Sequence, residues 1–582
     1  MADWNAFDRY VQDAMPGWHC PGVAIAVLRG DDVLYRAAHG QRDVEQGLPL
    51  TPDTRFAMAS VTKSFTAMSV ALLVDEGKLA WDQPIREVVP ELILHDAYAT
   101  AHLSLRDMLS HRSGLPRHDL AAWRLDLPRA EFVKRMRHLR LSAGFREKFQ
   151  YNNLMYYLTA HVVERVTGQR WEDFVRERIF EPLGMTASNF EPEPPRAGQE
   201  NALGYRVDRD EDGEAKGLIA LPFGAHTELS PGAAGALFST LDDQARWLGL
   251  HVNGGRFGET RLVAPETCAQ MHLPVTVQPG GGPWGELMGN TVFTYALGWS
   301  VEPYRGHTVV QHGGNVEGHS LMIGFVPRER TGVVVLTNGA RMPLRDALFY
   351  EALDRALGLE PRDWSARFHR LFDEAFRGVA HGKATEATER HEDAPPSRGL
   401  EAYVGRFRAD GYPEVEVRLE DGALQARLRD SLDWSPLVHV HYDVFAWDLT
   451  AFLDQRLRVR FQGDEHGDLD TLVVPIEPEV DDVAFKRQPL ELPEGMLQTL
   501  VGEYATPIEG LSLRFHAVGD TLHVTDPGGT PEALQAYLLS DDTVGLRHKR
   551  VRYEFAREGE RSTRVTIKAP GMTLEASRPA DG

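Results

Sequence analysis

Phe56-Ala57-Met58-Ala59-Ser60-Val61-Thr62-Lys63-Ser64-Phe65-Thr66-Ala67-Met68 holds the chain's only S-x-x-K, at Ser60 and Lys63. On a helix, residues three apart share a face, so the hydroxyl and the amine would lie side by side. A free hydroxyl is a poor nucleophile and needs an adjacent base. From Phe65 to Val74 the residues are almost wholly apolar or small, which predicts a helix buried on most sides. Asp75-Glu76-Gly77-Lys78 supplies its stop, with Gly77 as C-terminal cap. A lysine at the mouth of a buried helix loses hydration, which lowers its pKa and suits it to act as a base. The plainer alternative is a serine N-cap followed by a lysine that reaches for solvent. The chain's serines and lysines would supply about 0.3 such pairings by chance, so the motif alone decides nothing.

The 582 residues have room for about two to four domains. A net charge of −22 disfavours nucleic acid and anionic membranes as partners. Cys20 and Cys268, the only cysteines, are too few for a disulfide framework and read as buried thiols. His439-Val440-His441 reads as strand alternation, and there is no C-x-x-C, H-E-x-x-H or EF-hand loop. No metal and no cofactor is expected. The first residues lack the basic and apolar regions of a signal peptide, and no apolar run is long enough to span a membrane. The expected location is cytoplasmic.

Gly22–Leu28 and Val33–Ala38 flank Arg29-Gly30-Asp31-Asp32 and read as a β-hairpin. Met322–Val326 and Gly332–Thr337 form a second hairpin. Helical patterns lie between them near 104–110, 129–138, 153–166 and 171–179. Strands at both ends with helices between predict one antiparallel sheet, closed by N- and C-terminal strands and flanked by helices, in an α+β domain over 1–360. Residues 361–398 read as a helix and a polar linker with Pro395-Pro396-Ser397. Beyond it Leu400-Glu401-Ala402-Tyr403-Val404-Gly405-Arg406-Phe407 is repeated as Leu497-Gln498-Thr499-Leu500-Val501-Gly502-Glu503-Tyr504. That repeat predicts two antiparallel β-barrel-like modules, 399–490 and 491–582.

Two further motifs occur once each: the Y-x-N Tyr151-Asn152-Asn153 and the H-x-G His312-Gly313-Gly314, followed by Asn315. Each has a plain structural alternative: a core tyrosine, a helix cap, a strand histidine. In the order S-x-x-K, Y-x-N, H-x-G they resemble the serine β-lactamase and penicillin-binding-protein superfamily. The chain is most similar to the class C β-lactamase-like branch, with its D-aminopeptidases and esterases. Leu109–Leu115, Gly235–Thr240 and Tyr295–Trp299 also look like stretches of that branch.

The resemblance implies a β-lactamase-like domain with Ser60 as acyl-accepting nucleophile and Lys63 and Tyr151 sharing the proton work. Asn153 would hold the substrate carbonyl or the lysine. The backbone N–H groups of Ser60 and Asn315 would form the oxyanion hole, and Gly313 and Gly314 would let the strand come close to substrate. His312 stands where β-lactamases carry the lysine of K-T-G. A histidine is mostly neutral near pH 7, which favours small peptides, amides or esters over substrates that need a fixed cation. The function expected is a serine hydrolase opening amide or peptide bonds, with D-stereospecificity as the narrower form. A carboxylesterase and a non-catalytic scaffold of the same fold are the alternatives. Oligomeric state is left open, a homo-oligomer included.

Overall fold

The computed structural model describes residues 2–122, 127–190, 200–210, 214–221, 232–280, 282–316, 318–372, 391, 393–430, 432–449, 456–464, 468–488, 496–518, 521–525, 532–540, 543–548, 551–558, 561–569 and 572–579. Half of the helix and linker expected at 361–398 lies outside them. The chain divides into two compact units, residues 1–388 and 389–582. No helix among the described residues is long and apolar enough to cross a membrane.

The first unit is built on nine antiparallel strands: β1 (Gly22–Arg29), β2 (Asp32–Asp43), β3 (Leu48–Pro49), β4 (Thr276–Gln278), β5 (Phe293–Tyr295), β6 (Ser300–Tyr304), β7 (His307–Val316), β8 (His319–Val326) and β9 (Thr331–Thr337). Their order across the sheet is β4-β5-β6-β7-β8-β9-β1-β2-β3. β1 pairs with β9 from Val23↔Thr337 to Arg29↔Thr331, so the N-terminal hairpin is sealed to the C-terminal one, as the two hairpin patterns predict.

β8 and β9 are buried at every residue and β1 at all but Arg29. Such continuous apolar runs belong to strands covered on both faces. On one face Val23, Ile25, Val27, Val333 and Val335 pack with α1 (Trp4–Gly17) and α6 (Leu344–Leu357). On the other, a Cβ on Gly332 would meet Leu248 of α4 (Leu241–Val252) at 2.8 Å, and the alternation of a strand puts Val334 and Leu336 on that side too.

The helix predicted after Ser60 is α2 (Thr62–Asp75), and every residue from Thr62 to Leu73 is buried. Its polar residues have partners inside the protein. Ser64 Oγ accepts from Trp247 Nε1 at 3.1 Å, Ser69 Oγ accepts from Trp171 Nε1 at 3.2 Å, and Thr66 Oγ1 donates to the Ala233 carbonyl at 2.6 Å. Phe65 stacks on Trp247 with ring centroids 3.8 Å apart. Besides α4, three more helices pack on α2: α3 (Leu154–Thr167), the short helix Trp171–Val175 and α5 (Pro265–Met271).

The second unit is all β among its strands. Eight strands from Gly405–Arg408 to Val483–Arg487 close a barrel, and nine strands from Gly502–Ala505 to Met572–Ser577 form a second antiparallel sheet. The end strands of that sheet, Glu532–Ala533 and Gln535–Ser540, are neighbours in sequence but do not pair with each other, so among the described residues backbone hydrogen bonds close only the first module. The repeat is physical as well as textual. Gly405 and Gly502 have φ of +154° and +156°. Beside them Arg487 and Arg578 lie over the rings of Phe407 and Tyr504 at 4.8 and 5.1 Å. Each guanidinium donates to carbonyls of the segment just before its glycine, Arg487 to Ala402 and Val404, Arg578 to Thr499 and Val501.

Phe65 carries much of the packing between α2 and α4. Phe65→Ala should lower the unfolding free energy of the first unit by about 3–5 kcal/mol. Denaturant unfolding followed by tryptophan fluorescence measures it; a loss below about 1 kcal/mol would contradict this packing.

Candidate active site

A two-residue strand, Phe56–Ala57, pairs with Phe238–Ser239 and delivers the chain to the sheet. Met58 N–H then donates to the Leu237 carbonyl at 2.7 Å. Ala59 has φ +46°, a left-handed conformation that side-chain-bearing residues rarely adopt and that concentrates at functional sites. Ser60 comes next, in the single 3₁₀ turn Ala59–Val61, one step before α2 begins. The serine is therefore at the helix mouth rather than within the α-helix. The i, i+3 relation survives because the 3₁₀ turn runs straight into it. Thr62 Oγ1 donates to the Ala59 carbonyl at 2.6 Å and accepts from Leu237 N–H at 3.1 Å, which holds the turn.

Lys63 Nζ lies 3.1 Å from Ser60 Oγ and donates to the Ala234 carbonyl at 2.8 Å. Tyr151 OH, just before α3, donates to the same Ser60 Oγ at 2.9 Å. The amine also sits 4.9 and 5.3 Å from the ring centroids of Tyr151 and Tyr156. Lys63 is fully buried, and among the described residues no carboxylate lies within ion-pairing distance of it. Burial pushes its pKa well below the ordinary lysine range, and the Arg117 guanidinium adds to that. Burial pushes the Tyr151 phenol up to about 12. Burial thus favours the neutral form of both the amine and the phenol. A neutral amine has a lone pair to accept the Ser60 proton, which an ammonium lacks.

His312 is buried on β7. Its Nδ1 lies 2.7 Å from the Gly313 carbonyl and its Nε2 2.7 Å from Tyr295 OH. Those partners fit one neutral tautomer, with Nδ1–H donating to the carbonyl and Nε2 accepting from the tyrosine. Burial, with Lys63 nearby, lowers its pKa to about 3. β6 pairs with β7 only up to Gln311, opposite Ser300, so residues 312–316 have β8 as their one strand neighbour. The vacated edge runs past the Ser60 turn. A Cβ on Gly314 would stand 2.5 Å from the Met58 carbonyl and 3.3 Å from Ala59 Cβ, so only glycine allows this approach. Asn315 is exposed, and its Oδ1 accepts from Ser320 Oγ at 3.1 Å.

Asn153 Nδ2 donates to Asp119 Oδ1 at 3.0 Å, and Arg117 Nε donates to Asp119 Oδ2 at 2.7 Å. Lys63 is anchored by the Ala234 carbonyl, with Asn153 engaged by Asp119 instead. The Arg117 guanidinium lies 5.3 Å from the Tyr151 ring centroid. Sequence reasoning did not single out Arg117, Asp119, Ala234, His111 or Tyr295. His111 and Tyr295 lie in the stretches Leu109–Leu115 and Tyr295–Trp299, whose resemblance to the class C-like branch was the available signal. His111 is buried with its ring 4.3 Å from that of Tyr151, and its Nδ1 accepts from Asn152 N–H at 3.0 Å. Asn152 is thereby tied down, and with it the segment presenting Tyr151. Arg117 precedes, and Asp119 opens, a single 3₁₀ turn at Asp119–Ala121, and neither carried a pattern.

Comparison with known proteins gives three findings. The family described as Beta-lactamase matches residues 7–357, and a domain of unknown function, DUF3471, matches residues 389–489. An unguisins hydrolase of Aspergillus campestris is 28% identical over 443 residues, 73% of this chain and 80% of that protein. Penicillin-binding protein 4 of Amycolatopsis lactamdurans is 29% identical over 330 residues, 55% of this chain and 81% of that protein. Among solved structures, the octameric penicillin-binding protein homologue of Pyrococcus abyssi superposes with a TM-score of 0.54 at 24% identity, covering 83% of this chain and 100% of that one.

A lysine held neutral in the fold and charged in the unfolded chain makes the unfolded state bind more protons, so stability rises with pH until the unfolded lysine titrates near 10.4. Lys63→Met removes that term. The variant should unfold at a higher temperature than the natural chain at pH 7, and the difference should shrink as pH approaches 10. Thermal unfolding at pH 7, 8.5 and 10 checks this; a lower midpoint for the variant at pH 7 that does not change with pH would contradict it.

Proposed function

The chain belongs to the β-lactamase family and is a hydrolase of that fold, and from that premise we propose that it is a serine hydrolase that forms an acyl-enzyme at Ser60 and opens amide or peptide bonds of small substrates. One observation carries the proposal: Lys63 Nζ and Tyr151 OH converge on Ser60 Oγ at 3.1 and 2.9 Å. Lys63 takes the Ser60 proton as Oγ bonds to the substrate carbonyl carbon. The charge that develops on the carbonyl oxygen is met by the backbone N–H groups of Ser60 and Asn315, on either side of the close approach that Gly314 allows. The carbon–nitrogen bond then breaks as the departing nitrogen receives a proton from Tyr151, which Lys63 replenishes. Water repeats the sequence on the acyl-enzyme, with Oγ as the leaving group.

Amides are favoured over esters because a departing amine needs that proton and an activated ester alcohol does not. The neutral His312 offers no fixed cation, which supports an uncharged acyl portion. Asn153 and Arg117, joined through Asp119, border the tyrosine and would orient the substrate's amide. The chemistry is assigned to a catalytic domain of residues 1–360, and D-residue preference is its narrower form.

Intact-mass spectrometry after mixing with paired D- and L-aminoacyl anilides and p-nitrophenyl esters tests this. A mass increase equal to the acyl group is expected in the natural chain and none in Ser60→Ala. Tyr151→Phe should cut turnover of anilides about 100-fold more than that of activated esters. Equal losses on both, or an intrinsic preference for esters in the natural chain, would replace the amidase by a carboxylesterase. Failure of any acyl donor or fluorophosphonate to label folded protein would leave the scaffold.

A further inference from the structure

A second cluster of reactive side chains shares no residue with the Ser60 constellation. His251 near the end of α4, Cys268 on α5 and His272, which caps α5, each offer a ligand atom, all within 4.8 Å of one another. Cys268 and His272 are four residues apart and so share a face of the last turn of α5. His251 Nδ1 is 3.0 Å from His272 Nε2. Two nitrogens on one tetrahedral zinc, with bonds of about 2.0–2.1 Å, stand about 3.3 Å apart, so the pair is already spaced almost as a shared ion requires. The walls are aromatic: Trp299 lies 4.8 Å from the His251 ring and Phe325 4.9 Å from that of His272. Cys268 and His251 are buried, while His272 is half-buried and gives an ion its way in.

We propose that His251, Cys268 and His272 bind one zinc ion, with water in the fourth position on the His272 side, and that the ion clips α4 to α5. Binding releases the thiol proton to solvent as the sulfur–metal bond forms, with no change of oxidation state. The clip acts behind the catalytic lysine. Met271, the last residue of α5, accepts from Leu297 N–H at 3.1 Å, and a Cβ on the next residue, Gly298, would stand 2.9 Å from the Lys63 carbonyl.

The full chain, stripped by chelator, should take up one zinc in competition with a chromophoric chelator and unfold at a higher temperature for it. Cobalt(II) in its place should give the near-ultraviolet thiolate-to-metal band. Cys268→Ala and His272→Ala should weaken zinc about 100-fold or more and abolish the thermal shift, and Cys268→Ala should remove the cobalt band. Cys20→Ala, changing the chain's other cysteine, should keep both. Fluorophosphonate labelling of Ser60 at the natural rate shows that each variant is folded, and Cys268→Ser keeps the site's shape should Cys268→Ala not label. No zinc uptake, cobalt binding without a thiolate band, or a band that persists without Cys268 would overturn the proposal.

Discussion

Lys63 is buried with a backbone carbonyl, a serine hydroxyl and two aromatic rings for company and, among the described residues, without a paired carboxylate. Removing an unpaired ammonium from water is so costly that a lysine in this position gives up its proton instead. The surroundings serve that end. α2 is enclosed for three turns, Trp247 and Trp171 satisfy its serines, and the segment Ala233–Leu237 is stitched to its first residues through Ala233, Ala234 and Leu237. The strained Ala59 places the hydroxyl beside the amine. A rigid setting of this kind keeps a base ready without a step of rearrangement.

The same constraint sorts the histidines. A cation at His312 or His111 would lie close to the lysine, and burial lowers the pKa of both rings. Tyr295 and the Gly313 carbonyl fix the tautomer of His312, while Asn152 N–H occupies one nitrogen of His111. The charge that does approach the site is Arg117, compensated by Asp119, which in turn holds Asn153. In the proposed mechanism, proton chemistry is confined to Ser60, Lys63 and Tyr151.

Much of this was legible in the sequence. Continuous apolar runs at Gly22–Leu28, Met322–Val326 and Gly332–Thr337 announced strands covered on both faces, and their places at the two ends of a region announced the sheet. Ser60, Lys63, Tyr151 and His312 were singled out by their unique motifs, and the fold brings Lys63 and Tyr151 to Ser60. Contacts made through the backbone carry no side-chain signature, so Ala234, the principal anchor of Lys63, could not be foreseen. Arg117 and Asp119 act through a segment whose path is set by its neighbours. The His251, Cys268 and His272 group escaped because its three members match no four-ligand spacing and meet only when α4 and α5 pack. In the second unit the repeat was readable, but closure of the first sheet and the open ends of the second depend on long-range pairing.

The central claim is a neutral Lys63 amine at neutral pH, and its direct titration tests it. The chain has nine lysines, few enough to resolve with ¹³C at the ε carbon, and Lys63→Met assigns the signal. The account predicts one lysine resonance that is already in the neutral-amine position at pH 7 and titrates far below the others. A Lys63 resonance that titrates with the remaining eight near pH 10.4 would contradict it.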